Sequence, residues 1–453
     1  MAAASASASS RRLPGFTLRG WVLVLAGLVL VGVGQYFALG DLSRLGVLLV
    51  ALPGLTWLLG LGSVRTTHTN LTATPQTPRA GDPVSLRVAT RSTVPLPGAP
   101  VVTHLPVHAT WGPMVELGTL TVRQEETVQE VTVRPTHRGL YEVGPLLVDR
   151  SDPFGLTRQA FTESGEALTV TVLPRTIDYP GTRVRRLVQD AAQRTVTMRP
   201  TTDAVDAAAV REYGRGDDVR RIHWRSTART GDLMVRHDDT EVKPWLLLCI
   251  DEGAPWGDRA EGATGVYPGP PAFEAAVRVA ATLVESAARA GLEVRLLTAA
   301  GLEEGLHQRA VRTADALAHL ATVSPSGRRP EDFAEHALGA TRSGGLPFLV
   351  TTGQTPADTG ALGERHPRHP GTALLVGGEP ADGASDRRET AAYALRRGGW
   401  RVSSWTGGGA AGAAGHDGAP GPSTFPGPSG PSDAEVRRAM DLLTRATSRG
   451  ETA

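Results

Sequence analysis

The densest group of side chains able to do chemistry is an arginine-rich segment near the middle of the chain. Arg211–Arg236 reads REYGRGDDVRRIHWRSTARTGDLMVR and holds seven arginines and four acidic residues in 26 positions. Guanidinium groups bind carboxylates and phosphates, so the segment could dock an acidic protein, hold an anion or bind nucleic acid. Nucleic acid is the least favoured ligand, because the acids dilute the positive field and Trp224 is the only good stacking aromatic.

The residue types within this segment predict a short helix followed by a strand. The pair Asp217–Asp218 offers a natural N-cap, and Gly231 offers a natural stop. On such a helix Val219 and Ile222 would face inward. A strand is then predicted over 232–236.

Three arginines recur at every fourth position of the predicted helix and would form one basic stripe: Arg221, Arg225 and Arg229. Such a stripe suits docking to an acidic protein partner. The alternative is an internal Arg–Asp network that fixes the segment against the following domain, and both interpretations stay open. An anion site at the helix N-terminus is disfavoured, because the two aspartates would repel the ligand. The residues assigned to this partner-binding or structural motif are Arg211, Tyr213, Gly216, Asp217, Arg220, Arg221, Trp224, Arg225 and Arg229.

A second candidate site follows a buried strand further along the chain. Trp245–Asp251 is a continuous apolar run that ends in an acid, which is typical of a buried parallel strand. In open α/β sheets, ligands bind at the carboxyl ends of the strands, so Asp251 and Glu252 would lie at a binding edge. Cys249 lies inside the run and is interpreted as a core residue, not a nucleophile.

The sequence lacks the common catalytic motifs. It contains no dinucleotide glycine fingerprint after Asp251, no phosphate-binding G-x-x-x-x-G-K-[ST], no G-x-S-x-G and no H-E-x-x-H. We therefore expect no catalytic residues and no cofactor, and a protein that is not an enzyme. An enzyme of unrecognised type is the alternative.

The chain from Lys243 onward alternates between strand and helix patterns. Phe273–Ala290 carries an apolar helical stripe and ends at a glycine. This alternation predicts a doubly wound α/β domain. Its further strands are predicted at Glu293–Thr298, Pro347–Thr352, Thr372–Val376 and Arg401–Ser404.

Short β-branched runs separated by proline and glycine fill the preceding region, which predicts an antiparallel β-sandwich-like domain. Two phrases in it are specific. RGLYEVGP, over Arg138–Pro145, is predicted to be a strand between glycine turns. DPFGL, over Asp152–Leu156, is predicted to be a turn whose phenylalanine plugs the sheet.

Two apolar runs near the start of the chain predict a transmembrane hairpin. Trp21–Leu39 would span about 28 Å as a helix, close to the ~30 Å hydrocarbon core of a bilayer. Leu45–Leu61 forms the second run, after a five-residue polar connector, 40–44. Arginines flank the outer ends of the hairpin, so the positive-inside rule predicts a multi-pass protein of the cell membrane with both termini in the cytoplasm.

The net charge of the chain is close to zero and gives no sign that arginines cluster in the central segment and beside the apolar runs. Of 453 residues, 47 are basic and 46 acidic, and Lys243 is the only lysine. Because this skew is typical of a GC-rich genome, the abundance of arginine alone does not indicate nucleic acid. The 40% apolar content excludes a wholly disordered chain, and the single cysteine excludes a disulfide framework or a cysteine-based zinc site.

The predicted organisation is a disordered basic N-terminus (1–20), a transmembrane hairpin (21–64), a β-sandwich-like domain (65–180), a linker with the arginine-rich motif (181–242), an α/β domain (243–405), a flexible Gly/Ala/Pro-rich loop (406–431) and a C-terminal helix (432–453). The last helix begins with the capping box Ser432–Glu435 and should pack on the α/β domain.

Together the hairpin, the RGLYEVGP and DPFGL phrases and the arginine-rich segment resemble the bacterial domain of unknown function 58 family, over roughly residues 20–405. The resemblance implies a membrane-anchored protein with a von Willebrand factor A-like C-terminal domain. It also implies two protein partners, a MoxR-type AAA+ ATPase and a transglutaminase-like membrane protein. The function expected is that of a non-catalytic scaffold or adaptor.

A von Willebrand factor A domain holds Mg²⁺ through an Asp-x-Ser-x-Ser motif, in which oxygen ligands suit this cation. The corresponding stretch here begins with Asp251, but Gly253 and Pro255 replace both serines. The resemblance therefore implies a degenerate metal site in which Asp251 is the only matching position. We expect protein binding that is independent of metal.

Overall fold

A computed structural model gives the fold, which divides into two compact units on either side of Leu173. The residues that the structure describes are 15–63, 67–92, 100–107, 111, 115–121, 127–197, 210–214, 219, 222–236, 244–254, 256, 269–326, 332–342, 345–353, 362, 371–377, 384–406 and 431–445.

Two apolar helices open the first unit, α1 (Leu18–Tyr36) and α2 (Gly40–Ser63). Each is long and apolar enough to cross a membrane. The connection between them is shorter than predicted, because the turn covers only Phe37–Leu39 and the expected connector, 40–44, already belongs to α2. Asp41 lies in the first turn of α2, where its negative charge complements the helix dipole. Residues 15–20, predicted to be disordered, are ordered as well.

Close packing of the two helices depends on glycines along one face of α1. Gly27 and Gly34 are buried and lie seven residues apart, and a Cβ atom at either position would collide with α2. A Cβ atom at Gly27 would lie 2.7 Å from the carbonyl oxygen of Gly46 on α2. Such close approach of two backbones is the usual role of small residues between membrane helices.

The rest of the first unit consists of antiparallel strands. They are β1 (Gly15–Phe16), β2 (Thr67–Thr74), β3 (Val84–Ser92), β4 (Pro100–Leu105), β5 (Val115–Thr121), β6 (Thr127–Val133), β7 (Gly139–Val143), β8 (Leu146–Ser151), β9 (Thr157–Ser164) and β10 (Leu168–Val172). Within the described residues they form the sheets β1-β9-β8-β4-β5, β2-β3-β6 and β7-β10. Residues from several of these strands share one apolar core, which includes Leu86, Leu105, Trp111, Tyr141 and Val148. The prediction of an antiparallel β region is confirmed in its strands, and the sandwich class stays a prediction.

The RGLYEVGP phrase folds as predicted. Its strand, β7, begins at Gly139 and is followed by Gly144, and both glycines adopt a positive φ that other residues rarely take. Tyr141 is buried within the strand, and its hydroxyl donates a hydrogen bond to the carbonyl oxygen of Arg138 at 3.2 Å. This hydrogen bond joins the buried Tyr141 side chain to the turn that precedes its own strand.

The DPFGL phrase also forms a turn, but its phenylalanine does not plug the sheet. The Phe154 side chain is 62% exposed, so that prediction is wrong. Leu156 is the buried apolar residue of the turn. The cause lies in Asp152, whose carboxylate accepts a hydrogen bond from the backbone N–H of Phe154 at 2.8 Å and fixes the residue at the tip.

The second unit begins with the elements that precede its main sheet. They are α3 (Gly181–Thr197), β11 (Val210–Glu212), α4 (Trp224–Thr230) and β12 (Met234–Arg236). The first of these corrects the prediction of a linker from residue 181, because α3 is a helix that packs on a later helix of the same unit. Its buried residues recur with helical spacing at Val184, Leu187, Val188 and Ala191.

A parallel sheet forms the centre of the second unit. Its described strands are β13 (Trp245–Ile250), β14 (Glu293–Leu297), β15 (Gly345–Thr351), β16 (Thr372–Val376) and β17 (Arg401–Trp405). Their spatial order is β14-β13-β15-β16-β17, which is the 2-1-3-4-5 order of a doubly wound sheet. All five strands were expected from the apolar runs, with ends that differ by two residues or fewer.

Helices cover both faces of this sheet. They are α5 (Pro271–Arg289), α6 (Ala299–Glu303), α7 (Thr313–Thr322), α8 (Phe333–Arg342), α9 (Ala384–Arg397) and α10 (Asp433–Arg445). Residues 245, 247 and 249 of β13 share a core with α8 and α9. Side chains alternate along a strand, so residues 246, 248 and 250 of β13 point to the opposite face, where they are also buried. Helix α5 contacts this strand as well. The doubly wound α/β prediction is therefore confirmed.

The C-terminal helix packs on the α/β unit, as predicted. At its start, Ser432 and Glu435 form the expected capping box, with the Glu435 N–H donating to the Ser432 hydroxyl at 3.3 Å. The guanidinium of Arg278 on α5 bonds the Pro431 carbonyl and the Asp433 carboxylate. The prediction of a flexible loop over 406–431 falls mostly outside the described residues.

Candidate functional site

The arginine-rich segment folds around a small antiparallel pair of strands. Val210 of β11 pairs with Arg236 of β12, and the Tyr213 N–H donates to the Leu233 carbonyl at 2.7 Å. Helix α4 lies between the two strands in sequence and is tied to the second one, because the Thr227 hydroxyl accepts from the Met234 N–H at 3.0 Å. The predicted strand over 232–236 is thus confirmed as β12.

The helix in this segment begins later than predicted. Its N-cap is His223, whose Nδ1 accepts a hydrogen bond from the Ser226 N–H at 3.2 Å, and not Asp217 or Asp218. The C-terminal end is as predicted: Gly231 adopts a left-handed conformation with φ of +83°. Because α4 starts at Trp224, Arg221 precedes it and the three-arginine stripe is reduced to two.

The side chains of α4 are all at least partly exposed. Trp224 is 68% exposed, and Arg225 and Arg229 are also exposed and lie four residues apart on the helix. Neither arginine forms an ion pair with any residue that the structure describes. The prediction that Val219 faces inward is wrong, since its side chain is 62% exposed.

The remaining members of the predicted motif are distributed as follows. Tyr213 is half-buried beside β11, and the backbone of Arg211 lies within that strand. Four predicted residues lie outside the described part of the chain: Gly216, Asp217, Arg220 and Arg221. The structure therefore brings together Trp224, Arg225 and Arg229, and the predicted Arg–Asp network falls outside what it describes.

The second candidate site lies where the order of the parallel strands reverses, between β13 and β15. Asp251 follows β13 and is fully buried. Its Oδ2 accepts a hydrogen bond from the Thr351 hydroxyl at 2.7 Å, and its carbonyl oxygen accepts from Trp256 Nε1 at 2.8 Å. This is the edge at which doubly wound sheets bind ligands.

Glu252 lies beside Asp251 and is 7% exposed. Its Oε1 accepts a hydrogen bond from the Ala299 N–H at the start of α6, at 2.8 Å. The net pKa of Glu252 is raised to about 7: burial is the largest cause, the hydrogen bond from the Ala299 N–H opposes it, and the nearby charge of Asp251 adds a smaller upward shift. Glu252 is therefore a carboxyl group that changes charge near neutral pH.

A threonine–histidine pair lies near this carboxyl group. Thr298, which caps α6, forms a 2.7 Å hydrogen bond with Nε2 of His319. Burial lowers the pKa of His319, so the neutral imidazole is favoured. The sequence gives no local signal for this pair, because the two residues are 21 positions apart and meet only through the fold.

Comparison with known proteins assigns part of the chain to a family. Residues 209–342 match the family described as "Protein of unknown function DUF58". This part of the chain belongs to the DUF58 family. The matched DUF58 segment starts just before β11 and ends at the last residue of α8, so it contains both α4 and the Asp251 edge.

Other comparisons add no fold or function. No curated protein matches the chain. The solved structures that match include the Pseudomonas fluorescens alkylpurine DNA glycosylase AlkC bound to DNA containing an abasic site analog, with 17% identity, a TM-score of 0.16 and coverage of 32% of this chain and 42% of that one. They also include Spo0M, a sporulation control protein from Bacillus subtilis, with 11% identity, a TM-score of 0.16 and coverage of 33% and 58%. The chain thus spans about half the length of these proteins.

Among the described residues of the Asp251 edge, both carboxylates already accept hydrogen bonds from groups of the protein. Gly253 contributes no side-chain oxygen, one oxygen of Asp251 already accepts from Thr351, and Glu252 bonds the backbone of α6. The described residues contain no cluster of three or more histidine, cysteine or acidic side chains able to hold a metal. Pro255 lies outside the described residues.

Two further features of the DUF58 segment bear on its chemistry. Cys249 is a fully buried core residue as predicted, and burial raises the pKa of its thiol far above the usual range.

A cavity of about 440 Å³ lies between β13, β14 and α8. In it the Arg295 guanidinium stacks on the Trp245 ring at 3.9 Å, and His307 contacts His336 with 4.5 Å between ring centroids. Burial lowers the pKa of His307.

Proposed function

We propose that the protein is a membrane-anchored, non-catalytic scaffold or adaptor whose α/β unit binds protein partners. A MoxR-type AAA+ ATPase is the first partner we propose, and a transglutaminase-like membrane protein is the second. The observation that carries this proposal is the exposed helix α4 inside the DUF58 segment, which presents Trp224 beside Arg225 and Arg229.

The composition of α4 is that of a binding surface. Tryptophan and arginine are the residue types most enriched among those that dominate the energy of protein interfaces. An exposed tryptophan exposes apolar surface to water, and covering it on binding is favourable. Two arginines four residues apart can each bind a carboxylate through two hydrogen bonds, which suits an acidic partner.

Anchoring in the membrane is supported by α1 and α2, whose length and apolar composition suit a bilayer. We propose that these helices form a transmembrane hairpin that leaves both termini in the cytoplasm. We also propose that the α/β unit is von Willebrand factor A-like. Its parallel sheet and the position of Asp251 at the carboxyl end of β13 support this assignment.

The test measures binding of a purified MoxR-type ATPase to the full chain in lipid nanodiscs. The variant Trp224→Ala/Arg225→Ala/Arg229→Ala removes the exposed groups of α4. We expect the dissociation constant to rise at least about tenfold, because residues of this kind dominate interface energies. The matched control is Tyr393→Ala/Arg396→Ala/Arg397→Ala on α9, which also removes one exposed aromatic ring and two exposed arginines.

Each outcome of this test distinguishes between the proposals. Loss of binding in the α4 variant alone supports an α4 docking surface. Equal loss of ATPase binding in both variants shows that binding depends on general positive charge. If the unmodified chain does not bind at physiological salt, the ATPase is rejected as a partner. A steep salt-dependent affinity for DNA would favour a nucleic-acid-binding module.

An enzyme of unrecognised type is the second candidate function, and Glu252 is the observation that favours it. A carboxyl group with a pKa of about 7 beside a second carboxylate is suited to general acid–base chemistry. The variant Glu252→Gln keeps the shape of the side chain and removes its titration. Loss of cellular function in this variant, with ATPase binding intact, would favour the enzyme.

A further inference from the structure

The DPFGL turn is attached to the start of helix α1. Phe16 of β1 pairs with Thr157 at the beginning of β9. The next residue, Thr17, donates its backbone N–H to the Leu156 carbonyl at 2.9 Å and its hydroxyl to the Gly155 carbonyl at 2.7 Å. The hydroxyl is also 3.1 Å from the Leu156 carbonyl oxygen, so the residue that caps the first apolar helix holds the turn through both its backbone and its side chain.

The turn and the helix are also in direct contact. A Cβ atom at Gly20, in the first turn of α1, would collide with the carbonyl oxygen of Leu156. The Arg19 guanidinium lies close to Gly155, within 3.9 Å of where a Cβ atom of that glycine would be. The position of the turn relative to α1 is thus fixed by backbone contacts and not by long side chains.

Internal hydrogen bonds hold the tip of the turn in one conformation. The Asp152 carboxylate accepts from the Phe154 N–H at 2.8 Å and from the Thr157 hydroxyl at 3.0 Å. The Asp152 carbonyl accepts from the N–H of Gly155, whose φ of +68° suits glycine. The result is a rigid tip that presents Phe154 with 62% of its surface exposed.

The level of this tip follows from the length of α1. Nineteen residues cover about 28 Å, so a helix that crosses a ~30 Å hydrocarbon core has its first turn at the membrane interface. Trp21 lies in that turn and packs edge-to-face on Phe16, with 5.5 Å between ring centroids. Aromatic side chains are enriched at this level of the bilayer, and Phe154 is fixed beside it.

We infer that Phe154 inserts into the interfacial region of the lipid bilayer, on the side where α1 begins. The DPFGL turn is then a lipid-binding contact that fixes the β-sheets of the first unit against the membrane, with Arg19 in reach of lipid phosphates. The inference rests on the proposed membrane anchoring. Lipid is the occupant because the turn that carries the exposed ring is hydrogen-bonded to Thr17, the cap of α1, and the next residue, Leu18, is apolar and 82% exposed.

The test uses a cysteine at position 154 as a site for a fluorescent label. Cys249 is the only cysteine of the chain and is fully buried, so Phe154→Cys supplies the one accessible thiol. The full chain carries an environment-sensitive fluorophore and is reconstituted in phosphatidylcholine/phosphatidylglycerol vesicles with or without brominated lipid. Val29→Cys, at a 62% exposed position midway along α1, reports on the hairpin, and Leu140→Cys, at a 55% exposed position on β7, is the matched control.

We expect the label at position 154 to emit at shorter wavelength than the label at position 140 and to lose intensity with brominated lipid. If position 29 is quenched and position 154 behaves like position 140, the interfacial contact is wrong and the membrane anchor stands. If position 29 is not quenched either, the anchor fails and the contact fails with it. Phe154→Trp serves as a second variant that keeps an aromatic ring, and the contact predicts that it adds tryptophan emission quenched by brominated lipid.

Discussion

Glu252 shows how the fold changes the chemistry of one side chain. Its position directly after β13 places it at the edge of the sheet, where it is almost completely buried. Burial penalises the charged form, and the charge of Asp251 adds to that penalty. A group of this kind ties the stability of the second unit to pH.

We predict that stability falls as pH rises from about 4.5 to about 7 and that Glu252→Gln removes this fall. Between these values the folded chain keeps the Glu252 proton while the unfolded chain has lost it, so the folded state binds more protons. A shift from 4.5 to about 7 corresponds to a change on the order of 3 kcal/mol in the free energy of unfolding. Denaturant unfolding of the full chain in detergent at pH 5 and pH 7.5 measures this change in the free energy of unfolding.

The control for this prediction is Glu389→Gln, which alters an exposed glutamate on α9. It should unfold with the same pH dependence as the unmodified chain. A Glu252→Gln variant with the same pH dependence as the unmodified chain would show that Glu252 is ionised in the folded state, contrary to the prediction.

Asp251 leads to a prediction about metal. Because Gly253 supplies no oxygen and Thr351 and the α6 backbone already bond the two carboxylates, we predict that the chain binds no Mg²⁺ at micromolar concentration. Isothermal titration calorimetry of the full chain measures this. Micromolar binding that Asp251→Ala abolishes would contradict the prediction and restore a metal site to this edge.

Strands and helices can be located from the sequence where their residue pattern is continuous. The central strands β13, β15 and β16 are predominantly apolar and almost entirely buried, so they could be located from the sequence. The cap of α4 could not, because histidine is not a usual N-cap residue and the adjacent aspartates are. The exposure of Phe154 could not be predicted either, because a turn sequence does not specify which side chain faces the core.

Helix α3 illustrates a different limit. Its four buried residues follow helical spacing, but they are small or β-branched for the most part and lie among arginines and polar residues. This pattern alone does not distinguish a packed helix from a linker, because it does not show which surface the apolar residues would cover. Packing against α5 decides in favour of the helix, since most helical stability in proteins comes from tertiary contacts.

The packing of α1 on α2 depends on Gly27. We expect Gly27→Leu to separate α1 from α2, because even a Cβ atom at Gly27 would lie 2.7 Å from the Gly46 carbonyl oxygen. Gly32→Leu is the matched control, since nothing lies within 4 Å of a Cβ at Gly32 on the same helix. The melting temperature of the detergent-solubilised chain should fall in the first variant and change little in the second. Similar effects in both would show that the helices do not pack through Gly27.

The whole chain carries a net charge of +1, so its arginines matter through their positions and not through the total charge. In the second unit, two of them stand exposed on α4 beside a tryptophan, where a partner can reach them. In the first unit, the arginines that flank the apolar helices would determine the orientation of the proposed hairpin by the positive-inside rule. Charge placement therefore connects the proposed docking surface with the proposed topology.

Membrane topology is the prediction that tests this connection. The outer flanks of the hairpin carry Arg19 and Arg65, whereas in the α2 end of the loop Arg44 is paired with Asp41 at 3.1 Å. We therefore expect a reporter at the C-terminus to be active only on the cytoplasmic side, and one fused after Leu39 only on the outer side. Activity of both fusions on one side would show that the two helices do not form a hairpin across the bilayer. The opposite pair of results would reverse the orientation and place α4 out of reach of a cytoplasmic ATPase.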